Sequence, residues 1–385
     1  PMRVVHATIR HWMEQAGMVV RVDAAGNIVG RRPATSGVSP KVLILGSHLD
    51  TVPNAGMYDG ILGVMIGLAV VESLTDEDLP FAIDVIGFSE EEGVRYSLPY
   101  IGSRAVSGSF DPLWLERVDS DGVSLREAII AFGLDPKEIC KAAYDPYEVL
   151  GFIEAHVEQG PVLERLGLPV ASVSSIVGQS RLGVCFHGEA GHAGTMPMAM
   201  RHDALVGASK WILKVQELAL SVEGLRATVG RMAVSPNASN VIPDRVELSL
   251  DVRHEVDSVR LAAIDQLLSN AEAICASDGL RFEVLHRGDS GSVAGCPRLE
   301  SLLRETIAAQ GTHCCVDGNP LSLASGAGHD AVVMGASFPM AMLFIRHPGG
   351  ISHQPDERVD QCDVEVAIQV LVDFVKRLAH QECLA

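Results

Sequence analysis

The residues best equipped for chemistry fall in a few short segments. Gly46-Ser47-His48-Leu49-Asp50-Thr51 follows the apolar run Val42–Leu45, and His48 and Asp50 alternate, so in extended chain they point the same way. A carboxylate beside an imidazole can select the tautomer that binds a metal. Alone, a His-x-Asp at a strand end serves structure as readily as chemistry. Tyr58-Asp59-Gly60 adds a carboxylate in a glycine-bounded turn before an apolar helix, where capping that helix is the plainer role. Ser89-Glu90-Glu91-Glu92-Gly93 follows a second apolar run, Val85-Ile86-Gly87-Phe88, which would aim its acids at the same edge as His48. Three adjacent acids repel one another and normally belong on a solvated face. A cation would relieve the repulsion, with one carboxylate ligating while its neighbour acts as general base toward water. His156, in Glu154-Ala155-His156-Val157-Glu158-Gln159-Gly160, and His353, in Pro348-Gly349-Gly350-Ile351-Ser352-His353, are each ordinary loop residues when taken singly. Jointly the segments offer three imidazole and two carboxylate donors, enough for two divalent ions that share a carboxylate and a water.

The elements that must position these groups are legible from periodicity. Val4, Val5, Ile9, Trp12 and Met13 recur at helical spacing up to Gly17. Met18–Val22 and Ile28–Arg31 flank a turn at Ala24-Ala25-Gly26-Asn27, Val42–Leu45 and Ile83–Phe88 have buried-strand character, and Leu62–Leu74 reads as an apolar helix. This alternation predicts an α/β layer with a largely parallel sheet and its active groups at the strand C-terminal ends. From about Arg181 the order becomes β-α-β-β-α-β, the split βαβ unit of ferredoxin-like domains. Residues 179–289 are therefore expected to form an inserted domain within an α/β domain of residues 1–178 and 290–385. Past it, Leu299–Gln310 and Val364–Leu378 read as helices, Ala341–Ile345 as a strand, and Ser325–His329 and Pro348–His353 as loops.

Composition narrows the partners. In 385 residues, 47% are hydrophobic and 21% charged, which suits a globular protein. With 30 Lys and Arg against 49 Asp and Glu, the net charge of −19 disfavours nucleic acid and anionic membranes and leaves a small molecule or another protein. The eight cysteines form no C-x-x-C pair, as expected of reduced thiols in a cytoplasmic protein. No uninterrupted apolar stretch reaches the ~18 residues of a membrane span. The helical pattern starts almost at Pro1, so an upstream leader or N-terminal helix is expected to precede it.

Taken together, Gly46–Thr51, Tyr58-Asp59-Gly60, Glu91-Glu92-Gly93, His156-Val157-Glu158-Gln159-Gly160-Pro161, Gly191-His192-Ala193-Gly194 and Ser325-Gly326-Ala327-Gly328-His329-Asp330 resemble the motifs of dinuclear amidohydrolases acting on ureido compounds. That group includes allantoate amidohydrolase, N-carbamoyl-L-amino-acid hydrolase and β-ureidopropionase, within the aminoacylase and carboxypeptidase superfamily of metallopeptidases. The resemblance implies a dinuclear-metal exopeptidase-like α/β domain carrying a ferredoxin-like dimerisation domain, and two divalent ions, Zn²⁺ or Mn²⁺, per subunit. His48, Asp59, Glu92, His156 and His353 are then the metal ligands, with Asp59 bridging, Glu91 the base and Asp50 the partner of His48. Gln159, His192, Asn240, Arg253 and Gly328 are implied to bind substrate, some of them across the interface of a homodimer. Arg253 makes independent sense as a bidentate clamp for a substrate carboxylate, and His192 and Asn240 as donors to an oxyanion. Asn54–Gly60, Glu91–Tyr96 and Ser235–Pro243 look most like allantoate amidohydrolases; hydrolysis of N-carbamoyl amino acids is the alternative, and a catalytically silent scaffold the more distant one. Glu90, an extra acid, leaves base and ligand open by one residue.

Overall fold

Apolar runs separated by glycine-bounded turns build two compact units, Pro1–Ile176 with Ala294–Ala385 and Val177–Val293, in a computed structural model that describes residues 2–35 and 41–384. The chain begins with α1 (Met2–Gln15), β1 (Val19–Val22), β2 (Ile28–Arg32), β3 (Val42–His48), α2 (Ile61–Ser73), β4 (Ala82–Phe88), α3 (Ile101–Val106), α4 (Leu125–Phe132), β5 (Val149–Val157), α5 (Val162–Leu166) and β6 (Val170–Ile176). The second unit holds β7 (Gly178–His187), β8 (Gly191–His192), α6 (Ala204–Ser221), β9 (Arg226–Ser235), β10 (Val241–Ile242), β11 (Arg245–His254), α7 (Asp257–Asp278) and β12 (Arg281–Ser290). The chain then returns through β13 (Val293–Ala294), α8 (Pro297–Ala309), β14 (Cys315–Val316), β15 (Asn319–Pro320), β16 (Ser322–Ser325), α9 (Asp330–Met334), β17 (Met340–Ile345) and α10 (Gln361–Leu384).

The first unit is organised by a sheet of order β1-β2-β4-β3-β5-β17-β6-β13, with β16 parallel to β6. It is mixed. The largely parallel sheet expected from the sequence describes only its centre, β4-β3-β5-β17, whose neighbours run parallel. Outside that centre β2 is antiparallel to β4 and β6 to β17. The reason at one edge is local: Asp23 accepts hydrogen bonds from the backbone of Ala25 and Asn27, closing a tight turn that makes β1 and β2 a hairpin. Because the central strands are parallel, His48, Phe88, Val157 and Ile345 end at one edge, and residues 48–50, 89–92, 157–159 and 346–353 emerge there together. Helix α2 is apolar on nearly every face and is buried with α8 and α10 in one core with these strands.

Sequence reading missed β5 and β6. In β5 all nine residues are buried, including Glu154 and His156. Two polar side chains broke the apolar pattern. The cost of Glu154 is met by tertiary partners, since it accepts from Ser47 Oγ and from the Ala331 N–H, each at 2.9 Å.

In the second unit the antiparallel order β12-β7-β11-β9 is the ferredoxin-like βαββαβ arrangement. Burial alternates along β11, as expected for a sheet covered on one face. Leu182, Val184 and Phe186 of β7 and Val246, Leu248 and Leu250 of β11 pack with Trp211 of α6 and Ile264 and Leu267 of α7. Trp211 is fully buried and donates its indole N–H to the Leu267 carbonyl at 2.8 Å. Trp211→Ala is therefore expected to cost the unit about 3–5 kcal/mol, read as an earlier unfolding transition in denaturant. Among the described residues no helix is long and apolar enough to cross a membrane, and all eight cysteines are free.

Candidate metal centre

His48 closes β3 and His156 lies one residue from the end of β5, so the sheet itself sets both rings. Asp59 stands between them and His353. His48 Nε2 is 3.5 Å and His156 Nε2 3.0 Å from Asp59 Oδ1, whereas His353 Nε2 lies 3.0 Å from Asp59 Oδ2 and 3.5 Å from Glu92 Oε1. Two donor groups result, His48–Asp59–His156 and Asp59–Glu92–His353, each with its ligand atoms within 4.8 Å of one another. Asp59 does not cap α2; the N-cap is Gly60, which makes no side-chain bond. At φ 73° Gly60 occupies the left-handed region, and a Cβ there would run into the His48 ring.

The chemistry of the donors fits divalent cations. His48 and His156 each place Nδ1 against a backbone carbonyl, of Asp50 at 2.8 Å and of Val157 at 2.9 Å. With Nδ1–H committed there, each Nε2 presents a lone pair to the Asp59 carboxylate, an arrangement that a cation between them resolves. Glu92 Oε1 and His156 Nε2 are buried without a hydrogen-bond partner among the described residues, which is costly unless something ligates them. The negative field is strong enough to overcome burial. Although burial opposes its charge, His48 is raised well above the ordinary imidazole range by Glu91, Asp59 and Asp50. Burial likewise opposes ionisation of Asp59, yet the adjacent His156 and His48 hold its carboxyl far below the usual range.

Asp50 bonds the His48 ring through its main-chain carbonyl. Its carboxylate is 3.9 Å from His48 Nδ1 and instead accepts the backbone N–H groups of Glu91 at 2.9 Å and Glu92 at 3.1 Å. The Leu49 N–H still bonds the Phe88 carbonyl at 3.0 Å, and the chain turns directly after it, so the Asp50 carbonyl reaches the ring while its side chain turns to the end of β4. The three acids face different surroundings. Glu92 meets His353; Glu90, at φ 55°, lines a separate cavity with Arg95, Tyr96 and Phe132; Glu91 is 6% exposed. No hydrogen bond reaches the Glu91 carboxyl among the described residues. Burial pushes it well above the usual range; His48 opposes this, while Asp330, Glu92 and Asp50 add to it.

The model of peptidase family M20/M25/M40 matches residues 44–377. The chain belongs to this family. It is 36% identical over 396 residues to an allantoate deiminase of Arabidopsis thaliana, covering 96% of this chain and 75% of that protein. It is also 36% identical over 378 residues to an N-carbamoyl-L-amino acid amidohydrolase of Geobacillus stearothermophilus, covering 97% and 90%. The crystal structure of an amidase of the hydantoinase/carbamoylase family from Burkholderia multivorans is similar with a TM-score of 0.87 at 32% identity, covering 97% of this chain and 89% of that one. The M20 match encloses the inserted unit and every segment from Gly46 to His353 that carries a candidate site residue.

Of the residues expected to bind substrate in this M20 chain, Gln159 joins the candidate centre, its amide donating to Asp59 Oδ2 and to Ser352 Oγ at 3.0 Å each. Gly328 sits beside the Tyr100 hydroxyl in the loop before α9. In the second unit His192 and Asn240 come together: β8 pairs with β10, and the Ala193 N–H donates to the Asn240 carbonyl at 3.0 Å. Arg253 is near the other end of β11, where Asp251 holds its Nε at 2.8 Å and Nη2 at 3.2 Å. Sequence reading missed Glu357 and Ser352, which contact the Asp59 turn, and the buried Glu154. Only Glu154 left a signal, being two residues before His156 and hence on the same face of one strand.

Proposed function

We propose that the chain is a metal-dependent amidohydrolase that cleaves a ureido C–N bond, with allantoate as its substrate and ureidoglycine, ammonia and carbon dioxide as products. The observation that carries the reading is Asp59, whose two oxygens each serve one donor group. Two divalent cations, Zn²⁺ or Mn²⁺, held by His48, Asp59 and His156 and by Asp59, Glu92 and His353, would polarise the ureido carbonyl and acidify water. Glu91, buried and with no hydrogen-bond partner on its carboxyl among the described residues, takes a proton from the attacking water and returns it to the departing nitrogen. Asp50 orients Glu91 and Glu92 through their N–H groups. Arg253, held in place by Asp251, grips the substrate carboxylate, and His192 and Asn240 donate to the developing oxyanion.

The working unit is a homodimer. Arg253 lies eight residues along β11 from Arg245, beyond which the β8–β10 ribbon carries His192 and Asn240; at strand spacing this is roughly 25 Å. One small ureido acid is too short to touch both ends of that unit, which supports a site to which two copies contribute. Free thiols throughout agree with a cytoplasmic setting.

Equal identity to the Geobacillus stearothermophilus protein supports N-carbamoyl-L-amino acids as the competing substrates. Ammonia release from allantoate, N-carbamoyl-β-alanine and several N-carbamoyl-L-amino acids, after loading with Mn²⁺ or Zn²⁺, separates the readings. Fastest turnover of allantoate is expected; preference for a carbamoyl amino acid overturns the substrate, and no ammonia from any of them overturns the activity. Arg253→Ala should raise KM about 10–100-fold, the 1.5–3 kcal/mol of a charged hydrogen bond, with a smaller change in kcat. An unchanged KM removes Arg253 from substrate recognition.

A further inference from the structure

We infer that Glu357 is a positioning residue that fastens the Asp59 turn to the His353 loop and thereby sets the Asp59–Glu92–His353 donor group. The inference rests on the two-metal reading above. Glu357 is 4% exposed and forms no ion pair among the described residues, an unusual state for a carboxylate. Both of its oxygens are used on the candidate centre. Oε1 accepts the backbone N–H groups of Tyr58 and Asp59, each at 2.9 Å, although those residues lie almost 300 positions away in sequence. Oε2 is 3.3 Å from Ser352 Oγ, which also lies 3.2 Å from Asp59 Oδ2 and accepts from Gln159.

Two N–H groups on one oxygen fix the peptide plane on which the Asp59 side chain pivots. The same carboxylate belongs to the loop that presents His353, and its own N–H closes a turn onto the Gln354 carbonyl at 3.1 Å. This matters because the two donor groups are supported unequally. His48 and His156 sit in buried central strands. His353 is in a loop at φ 58° with its side chain 47% exposed, so packing constrains it far less than it does His48 and His156. Glu357 also explains Gly56 in the Asn54–Gly60 segment, because a Cβ on Gly56 would overlap the Glu357 side chain.

Titration of Mn²⁺ into the full-length, metal-stripped protein by calorimetry tests this. Two equivalents are expected for the wild type. Glu357→Ala should keep one near wild-type affinity and weaken the other roughly 10–100-fold, the usual cost of losing support outside the ligand set. Glu357→Gln retains an oxygen for the two N–H groups and should restore most of the loss. Gly56→Ala, which keeps every donor and Glu357 itself, should weaken the same single equivalent and carries the comparison if Glu357→Ala does not fold. Wild-type affinity for both equivalents in Glu357→Ala and Gly56→Ala, or equal weakening of the two, overturns the role of Glu357. A wild type that takes up fewer than two equivalents overturns the two-metal reading, and this inference with it.

Discussion

Glu91→Gln is expected to lower kcat for ureide hydrolysis by about 10²–10⁴-fold while the protein keeps its fold and its full metal content. At 1.36 kcal/mol per tenfold, that is roughly 2.7–5.4 kcal/mol of transition-state stabilisation. Glu91 makes no hydrogen bond through its carboxyl among the described residues, is nearly enclosed, and has its proton affinity raised chiefly by burial. A carboxylate with raised proton affinity is a stronger base toward water than a solvated one. Gln is almost isosteric and leaves the two N–H bonds to Asp50 intact, so donor geometry is preserved. Steady-state kinetics together with metal analysis check the result. Retained turnover at full metal content would reassign the base.

The second large effect is expected at Asp59. Asp59→Asn should bind both metal equivalents at least ~100-fold more weakly and abolish measurable turnover, exceeding the loss from changes outside the ligand set. The amide supplies one neutral oxygen where the carboxylate supplies two charged ones, and each of those two serves a different group. A non-bridging ligand would behave otherwise: loss at His48 or His353 should weaken one equivalent more than the other. Calorimetric titration distinguishes these patterns, and an Asp59→Asn protein that still takes up two equivalents tightly would end the bridging role.

Legibility of the fold tracked burial type. Apolar strands such as Val42–Leu45 and Ile83–Phe88 and the helix after Gly60 announce themselves, because hydrophobic periodicity is a local property. β5 does not, since Glu154 and His156 are polar; Glu154 becomes tolerable through Ser47 and Ala331, and among the described residues the His156 ring hydrogen-bonds only its neighbour's carbonyl, on Val157. The same holds for direction: a tight Asx turn sends β2 back antiparallel, which alternation of strands and helices does not foretell.

Within the site, residue types alone offered three imidazole and two carboxylate donors and an insertion between strands of one sheet; naming His48, Asp59, Glu92, His156 and His353 as ligands with Glu91 as base took the resemblance to dinuclear amidohydrolases. Spacing cannot say which oxygen meets which nitrogen. Tertiary structure divided the donors into two groups about Asp59, turned Glu90, Glu91 and Glu92 to three different surroundings, and gave the His48 ring to the Asp50 carbonyl instead of its carboxylate. It also brought Glu357 onto the Asp59 turn from the far end of the chain. Donor identity is written residue by residue, whereas hydrogen-bond partnership depends on rotamers and backbone turns that exist only once distant segments have packed.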